Sequence, residues 1–243
     1  MKFTIESLDS VSSTQDIIKH KLEADPSLPE GYVITAKDQT KGRGRHGRTW
    51  EGSDGNLYFS FLLKPDAIQP DKIGLLSLAV GLAVFQTLKP LIKNLDINIK
   101  WPNDILIEGK KISGILIELF SDQNNTPQAF IVGIGINIKS SPMKDSTCLD
   151  SLTKQGYVPE NILYQFLSNF KKLYAQWKSG EFESLIESYK AGNIPKGQGI
   201  SVKLPNQTHE GHYYDIDHNG NLILEKKDGS LVTITSGDVY LCD

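Results

Sequence analysis

Residues 41–50 read Lys-Gly-Arg-Gly-Arg-His-Gly-Arg-Thr-Trp and contain every arginine of this 243-residue chain: Arg43, Arg45 and Arg48. All the others among its 26 basic residues are lysines. A lysine serves a solvated surface as well as an arginine does, whereas a planar guanidinium is needed where a fork binds a carboxylate or a phosphate. The glycines let backbone N–H groups approach an anion, and Trp50 offers its face to a base or a cation. The segment favours recognition of a small anionic ligand or nucleotide over two alternatives, a flexible basic surface loop and an RNA-contacting Arg-Gly loop.

Predicted strands over 32–37 and 57–63 flank this glycine–arginine segment, and the second strand is predicted to alternate. Before them, Ser13 and Asp16 have the spacing of a capping box, which predicts a helix as far as Ala24. Further strands are predicted over 97–101, 104–108, 111–120 and 129–138. Further helices are predicted from Asp71 or Lys72 to Pro90, along the apolar spacing of Ile162 to Trp177, and over 181–190.

The composition shifts near Pro195, and beyond it short alternating segments predict five strands. These segments are 199–204, 212–217, 222–225, 231–235 and 239–241. Asn219-Gly220 and Asp228-Gly229 are dipeptides typical of hairpin turns. We therefore expect a small β-barrel of the SH3 type, and hence two domains, 1–194 and 195–243.

The composition is that of an ordinary globular protein, with 39% hydrophobic and 23% charged residues. A formal charge of −3 provides no overall basic field for non-specific nucleic-acid binding. Cys148 and Cys242 form neither a disulfide framework nor a zinc site, so we expect a reducing, cytoplasmic compartment. No apolar signal-peptide core follows Met1. The apolar stretch 73–88 is shorter than the ~20 residues that span a bilayer, so we expect a buried helix and no membrane partner.

A second polar cluster begins at residues 100–104, which read Lys-Trp-Pro-Asn-Asp, and Lys111 follows seven residues later. Lys100 and Lys111 lie on consecutive predicted strands, and Asn103 and Asp104 lie in the connection, a usual place for functional groups. One carboxylate, one amide and two ammonium groups this close together suit a magnesium–nucleotide site. A proline turn with solvated charges explains the spacing equally well.

Gly133 and Gly135 interrupt the apolar strand predicted over 129–138. Glycine weakens the interior of a strand unless something must approach its backbone closely. A ligand or a packed aromatic ring explains both glycines, and a tight interstrand bulge is the alternative.

Taken in order, these motifs resemble those of the biotin protein ligases, also called biotin–acetyl-CoA-carboxylase ligases. The matching segments are Ser13-Thr14-Gln15, Gln39-Thr40, Gly42 to Arg48 with Trp50, Lys100 to Asp104, Lys111 to Glu118 and Gly133 to Asn137. The resemblance covers essentially the whole chain. Lipoate ligases share the fold but lack the pairing of the glycine–arginine segment with Trp-Pro-Asn-Asp.

The resemblance implies an α+β fold in which a mixed or antiparallel sheet has flanking helices, similar to class II aminoacyl-tRNA synthetases, followed by an SH3-like β-barrel. It also implies two half-reactions: biotin and ATP form biotinyl-5'-AMP and pyrophosphate, and a lysine of a biotin carboxyl carrier protein then takes the biotin and releases AMP. Because the chain starts at the catalytic domain, it resembles the short family members without a DNA-binding domain. We therefore expect no nucleic-acid partner, and a monomer or weak homodimer. A lipoate or octanoate ligase or transferase of related fold is the alternative.

The resemblance also implies which residues act at the site. For biotin these are Ser13, Thr14, Gln15, Gln39, Gly42, Arg43, Gly44, Arg45, Lys111 and Gly114. For ATP and the adenylate they are Arg45, Arg48, Trp50, Asn103 and Asn137. For catalysis they are Arg43, Arg45, Lys111 and Asp104. Magnesium is expected to bind through the phosphates of ATP, with Asp104 as a candidate protein ligand. The segment 42–48 is expected to fold over the intermediate as a lid.

Overall fold

The computed structural model describes residues 1–66 and 72–242, which form two β-sheets and five α-helices. The strands of the first sheet are β1 (Thr4–Val11), β2 (Tyr32–Gln39), β3 (Leu57–Leu63), β4 (Ile97–Lys100), β5 (Asp104–Ile107), β6 (Lys110–Ser121) and β7 (Pro127–Ile136). The strands of the second sheet are β8 (Gly199–Lys203), β9 (Thr208–Ile216), β10 (Leu222–Glu225), β11 (Leu231–Ile234) and β12 (Asp238–Leu241). The helices are α1 (Thr14–Ala24), α2 (Ile73–Leu88), α3 (Leu149–Thr153), α4 (Pro159–Ser179) and α5 (Phe182–Lys190).

The first sheet is mixed and has the strand order β1-β2-β3-β7-β6-β5-β4. β1 and β2 run parallel, whereas the other neighbouring pairs in this order are antiparallel. The second sheet has the order β11-β10-β9-β8-β12 and is antiparallel throughout its described strands. The expected α+β architecture, a mixed sheet with flanking helices and a small C-terminal β domain, is confirmed.

Helix α2 forms the centre of the main core and packs against α4, α5 and the sheet. Together with the following turn it spans Ile73–Leu91, 19 residues, which is long and apolar enough to cross a membrane. However, 67% of its apolar window is buried inside the molecule. The expected buried helix is therefore confirmed. The evidence for it is the burial of the helix, because its length alone would allow it to span a membrane.

Strand β3 differs from the predicted alternation because all seven of its residues are buried. Helix α1 covers one face of the strand and α4 contacts it as well. A strand covered on both faces carries apolar residues at consecutive positions, so period-two alternation is lost. On the α4 side, Phe59 and Phe61 contact the ring of Phe166, with centroids 5.1 and 5.9 Å apart.

Helix α1 begins where predicted, but the expected capping box does not form. Ser13 is the N-cap residue, yet its side chain makes no capping hydrogen bond. The carboxylate of Asp16 lies 3.0 Å from Arg43 Nη2. Tertiary contacts therefore override the local pattern at this helix start, and Ser13 instead lines a cavity.

Two elements, β1 and α3, were not predicted. In β1 the apolar residues Ile5, Leu8 and Val11 recur every third position, so the sequence lacks the period-two signal of a strand. Helix α3 has only five residues, too few for a periodic pattern. Asp71, one of the two predicted start positions for α2, lies outside the described residues.

The second sheet packs against the end of the first through several hydrogen bonds. The Lys100 Nζ donates to the carbonyl of Val239 at 2.8 Å, and the indole Nε1 of Trp101 donates to the carbonyl of Gly220 at 3.0 Å. The Asn193 side-chain amide donates to the hydroxyl of Tyr213 at 3.1 Å. Along the chain, all strands of the first sheet precede residue 194 and all strands of the second sheet follow residue 195. A domain boundary between these two residues stays a prediction.

Candidate active site

A cavity of about 510 Å³ lies between the glycine–arginine segment, the start of α1, strands β6 and β7, and the end of β12. Most of the residues predicted from the sequence line it. They are Ser13, Thr14, Gln15, Gln39, Arg43, Gly44, Arg45, Arg48, Trp50, Asn103, Asp104, Lys111, Gly114 and Asn137. Gly42 is not among the lining residues. Its carbonyl accepts a hydrogen bond from the Trp50 N–H at 2.9 Å, so it fixes the backbone at the indole.

One end of the cavity is polar and carries no charged group among its hydrogen-bonding residues. The Thr14 backbone N–H donates to Gln39 Oε1 at 2.8 Å, and the Thr14 hydroxyl lies 3.1 Å from the same oxygen. The Thr14 hydroxyl is also 2.7 Å from the hydroxyl of buried Ser60. Gln15 Nε2 donates across the sheet to the carbonyls of Leu116 and Ile131. This network offers neutral donors and acceptors to a ligand.

The two strand glycines make room for side chains that form the cavity floor. A Cβ at Gly135 would lie 2.4 Å from Trp50 Cε2, and a Cβ at Gly133 would lie 2.6 Å from Gln15 Cδ. Gly114 on β6 has the same relation to the indole, at 2.7 Å. β7 pairs with β3 and β6 in regular register at these glycines, so the bulge interpretation is wrong. The packed-ring interpretation of Gly135 is confirmed.

Two buried polar atoms in this wall have no hydrogen-bond partner within the described residues: Trp50 Nε1 and Asn137 Oδ1. The first is a donor and the second an acceptor. A buried polar atom without a partner costs free energy that a ligand can recover by hydrogen bonding to it. Each of the two atoms is therefore a candidate to pair with a polar group of a ligand in the cavity.

The charged centre of the site is Asp104, held between two lysines. Lys111 Nζ lies 2.6 Å from Asp104 Oδ1, and Lys100 Nζ lies 3.1 Å from Oδ2. Burial acts to raise the pKa of Asp104, but the two ammonium groups outweigh it and hold this pKa below its usual value. Lys111 Nζ is also 5.4 Å from the centre of the Trp50 ring. The Lys111 ammonium group therefore lies between the Asp104 carboxylate, which holds it, and the Trp50 indole.

Arg43 has different partners from Arg45 and Arg48. Arg43 makes a bidentate contact with Glu118, at 2.9 and 2.6 Å, and its Nη2 is 3.0 Å from Asp16. Arg45 Nη1 donates to Asn103 Oδ1 and to the carbonyl of Gly237, both at 3.1 Å. Burial lowers the pKa of the Arg45 guanidinium. Arg43 is thus engaged at the α1 side of the cavity, whereas Arg45 bridges the Asn103 turn and the second sheet.

Arg48 forms an ion pair with Asp238 of β12, and this contact raises the pKa of Arg48. Arg45 Nη1 and His46 Nε2 each lie 3.8 Å from the same carboxylate. The second sheet therefore contributes a carboxylate to the lining of the cavity, beside Arg45, His46 and Arg48.

Lys100, predicted as part of the second polar cluster, lines the cavity as well. Several lining or supporting residues were not predicted, namely Ser60, Glu118 as the partner of Arg43, Asp145, Ser146, Asp238, Tyr240 and Leu241. Glu118 belongs to the Lys111 to Glu118 motif, which points to the site but does not identify Arg43 as the partner of Glu118. Asp238 is separated from Arg48 by most of the chain, and no pattern in the sequence links the two residues.

The site provides no dedicated metal cage in residues 1–66 and 72–242: no three His, Cys, Asp or Glu side chains are grouped to hold an ion. Asp104, the candidate protein ligand for magnesium, already faces two ammonium groups. Mg²⁺ is commonly held by one or two carboxylates together with the phosphates of a substrate. These residues therefore fit an ion that arrives on a nucleotide better than one resident in the protein.

Comparison with protein-family models gives two matches. The model described as the biotin/lipoate A/B protein ligase family matches residues 7–137, and the model of the biotin protein ligase C-terminal domain matches residues 197–241. The first match includes both sequence motifs and most of the cavity wall. The second coincides with the five-stranded sheet that contributes Asp238.

Full-length relatives and solved structures agree with these matches. The bifunctional ligase/repressor BirA of Bacillus subtilis is 35% identical over 244 residues, which cover 96% of this chain and 72% of the relative. The biotin--[acetyl-CoA-carboxylase] ligase of Mycobacterium tuberculosis is 34% identical, over 86% of this chain and 79% of the relative. The biotin protein ligase of Aquifex aeolicus in complex with biotin and ATP is 28% identical, with a TM-score of 0.82 and 98% of each chain covered.

Proposed function

The chain belongs to the biotin/lipoate A/B protein ligase family, and from that premise we propose that it is a biotin–[biotin carboxyl-carrier protein] ligase, an ATP-dependent, AMP-forming enzyme. The observation that carries the assignment is the combination of groups that line one cavity. Thr14 and Gln39 form a neutral hydrogen-bonded pair, and Lys111 supplies an ammonium group beside Asp104. Biotin presents the matching groups, a neutral ureido ring and a carboxylate.

In the first half-reaction the biotin carboxylate attacks the α-phosphate of ATP, and pyrophosphate leaves. Both reactants are anions, so the site must first neutralise charge. Lys111, held by Asp104, and Arg45, held by Asn103, supply fixed positive charge at the centre of the cavity. A magnesium ion carried on the triphosphate adds further neutralisation through phosphate oxygens.

In the second half-reaction the amine of an acceptor lysine attacks the carbonyl carbon of the biotinyl–AMP anhydride, and AMP leaves with the bonding electron pair. This transfer needs no enzyme nucleophile. Cys148 is buried, Cys242 is exposed, and neither lines the cavity. The protein therefore acts by positioning, by charge and by keeping water from the anhydride.

The residue roles follow from the chemistry of the same lining groups. We assign the ureido ring to Ser13, Thr14, Gln15 and Gln39, since these supply neutral donors and acceptors. We assign the adenine to Trp50 and Asn137, because their unpaired donor and acceptor match a purine edge. Asp104 serves as the residue that positions Lys111 rather than as a metal ligand.

We further propose that the acceptor is the carrier domain of acetyl-CoA carboxylase or a related carboxylase, that the enzyme acts in the cytoplasm, and that it is a monomer or weak homodimer without a nucleic-acid partner. Analytical ultracentrifugation over a range of protein concentrations tests the oligomeric state. A stable dimer at nanomolar concentration would contradict it.

The reaction is tested by pyrophosphate release from the purified chain with ATP and Mg²⁺, in separate reactions with biotin, lipoate and octanoate. We expect release with biotin, and biotin incorporation when a purified carrier domain is added. A carrier domain whose acceptor lysine is replaced by arginine is the control. Activity with lipoate or octanoate but not with biotin would assign the chain to the lipoate branch of the family instead.

A further inference from the structure

Within residues 1–66 and 72–242, Arg43 is the one arginine whose guanidinium pairs with two carboxylates from the α1 and β6 side of the cavity. It contacts Glu118 on β6 through both Nη atoms and Asp16 in the first turn of α1. All three side chains are about one-third exposed. One positive charge facing two negative charges leaves no net positive charge for an anionic ligand. Arg43 is therefore poorly placed to neutralise a substrate anion.

The position of this triad connects three parts of the site. Asp16 follows Thr14 and Gln15 on α1, and Glu118 lies two residues after Leu116, whose carbonyl accepts from Gln15. Arg43 comes from the glycine–arginine segment that covers these residues. One guanidinium thus ties the covering segment to both walls of the neutral end of the cavity.

The same guanidinium is also tied to the indole. The segment folds back on itself: Arg43 bridges to Thr49, and the Trp50 N–H donates to the Gly42 carbonyl at 2.9 Å. Trp50 then packs on Gly114 and Gly135. Arg43 therefore holds the return arm of the segment, whereas the indole at the end of that arm is also held by its own packing on the two strand glycines.

From this arrangement, and resting on the proposed function, we infer that Glu118 and Asp16 are positioning residues that hold Arg43 as a clamp over the biotin end of the cavity. Biotin binding depends on the clamp, because the clamp sets the segment against the neutral wall. The nucleotide end depends on it less, since Arg45 and Arg48 are held by other partners and Trp50 packs directly on Gly114 and Gly135.

The clamp and a direct ligand role for Arg43 predict opposite effects of Glu118→Gln. If Arg43 bound the substrate anion itself, removing a competing carboxylate would free the guanidinium and tighten biotin binding. If Arg43 is a clamp, the same substitution loosens it. We expect the KM for biotin to rise about fivefold in Glu118→Gln, as for loss of a partly exposed ion pair, and further in the double variant with Asp16→Asn. The KM for ATP is expected to stay within about twofold of wild type.

Glu6→Gln is the matched control, because Glu6 pairs with Lys21 of α1 at 36% side-chain exposure and does not line the cavity. We expect it to leave the KM for biotin unchanged. A KM for biotin in Glu118→Gln that is unchanged or lower than wild type would overturn the inference. An equal rise in the KM values for biotin and ATP would do so too.

Charge exchange separates the clamp from general damage. Arg43→Glu is expected to lose most biotin binding, measured by calorimetry, and Arg43→Glu combined with Glu118→Arg is expected to recover part of it. Recovery is possible only if the residues act on each other, so a double variant as weak as Arg43→Glu alone would contradict the clamp.

Limited proteolysis tests the clamp without the reaction. In the ligand-free protein we expect trypsin to cleave after Arg45 and Arg48 faster in the double variant Glu118→Gln/Asp16→Asn than in the control Glu6→Gln, because the segment is no longer held by Arg43. Wild type that releases no pyrophosphate with biotin would refute the proposed function alone. Unchanged cleavage in the double variant would refute the clamp alone.

Discussion

At the scale of single residues, the site depends on a few partly buried side chains, each held in one position by its neighbours. Asp104 holds Lys111 at 2.6 Å, and its low pKa keeps it ionised at neutral pH. Trp50 packs on Gly114 and Gly135, where the methyl group of an alanine would occupy the space of the ring. Side chains held in this way lose little further freedom when a ligand binds, which favours both affinity and rate.

Lys111→Ala is expected to slow adenylate formation far more than it affects folding. Loss of a charge-assisted contact costs ~1.5–3 kcal/mol, roughly tenfold to a hundredfold in rate. Single-turnover pyrophosphate release measures the effect, and thermal unfolding measures stability. Lys37→Ala, which removes a surface ion pair with Asp9, is the control. Adenylate formation at the wild-type rate would remove Lys111 from the mechanism.

Gly135→Ala is expected to displace the Trp50 ring, because the new Cβ would lie 2.4 Å from Cε2 and 2.6 Å from Nε1. Overpacking of this kind costs about 1–3 kcal/mol of stability. Since Trp50 is assigned to adenine, we expect Gly135→Ala to raise the KM for ATP as well as to lower stability. Gly81→Ala in α2 is the control, as its nearest neighbours are 3.7 Å away. If both variants bound ATP equally well, the indole would not form the adenine floor.

At the scale of elements, the glycine–arginine segment forms a folded turn held at both ends. Arg45–Gly47 form one 3₁₀ turn with His46 and Gly47 at positive φ, and the Gly44 N–H donates to the Arg48 carbonyl at 2.7 Å. Each arginine contacts carboxylate or carbonyl oxygens. These contacts offset the repulsion between three like charges, which a ligand anion can offset further.

Trypsin is expected to cut after Arg43, Arg45 or Arg48 more slowly when biotin and ATP are present than in their absence. Three glycines within seven residues give the open segment high backbone entropy, so binding must supply the order. The measurement is the cleavage rate followed by mass spectrometry. Cleavage after Lys226 and Lys227, in the hairpin turn before Gly229, is the internal reference. Equal protection of the segment with and without ligands would show that it does not act as a lid.

At the scale of the whole molecule, the cavity is completed by the second sheet. Asp238 on β12 binds Arg48 and lies near Arg45 and His46, and Lys100 donates to the Val239 carbonyl. The two sheets thus share charges across the nucleotide end of the cavity. The C-terminal sheet is therefore part of the site as well as of the fold.

Asp238→Asn is expected to weaken the attachment of Arg48 and to raise the KM for ATP by roughly fivefold, the size of one partly buried ion pair. The KM for biotin should change less, because Arg43 keeps its own partners. Asp228→Asn, in an exposed hairpin turn of the same sheet, is the control. Equal ATP parameters for the two variants would limit the role of β12 to packing.

The sequence alone determined the local features of this protein. The spacing of apolar residues predicted α4, the hairpin dipeptides predicted turns at Gly220 and Gly229, and both glycines have positive φ as such turns require. The concentration of arginines in one segment, and the two glycines in β7, pointed to the site. These signals are readable because they come from propensity and chemistry within a few residues.

Tertiary structure decided which distant groups meet. Pairing of Arg43 with Glu118 and of Arg48 with Asp238 spans 75 and 190 residues, and no periodic pattern encodes such partners. Tertiary contacts also decided two local features. Strand β3 is buried because α1 and α4 pack against it, and the capping box of α1 does not form because the Asp16 carboxylate pairs with Arg43. Sequence patterns specify what each residue can do, and packing specifies the partner with which it does it.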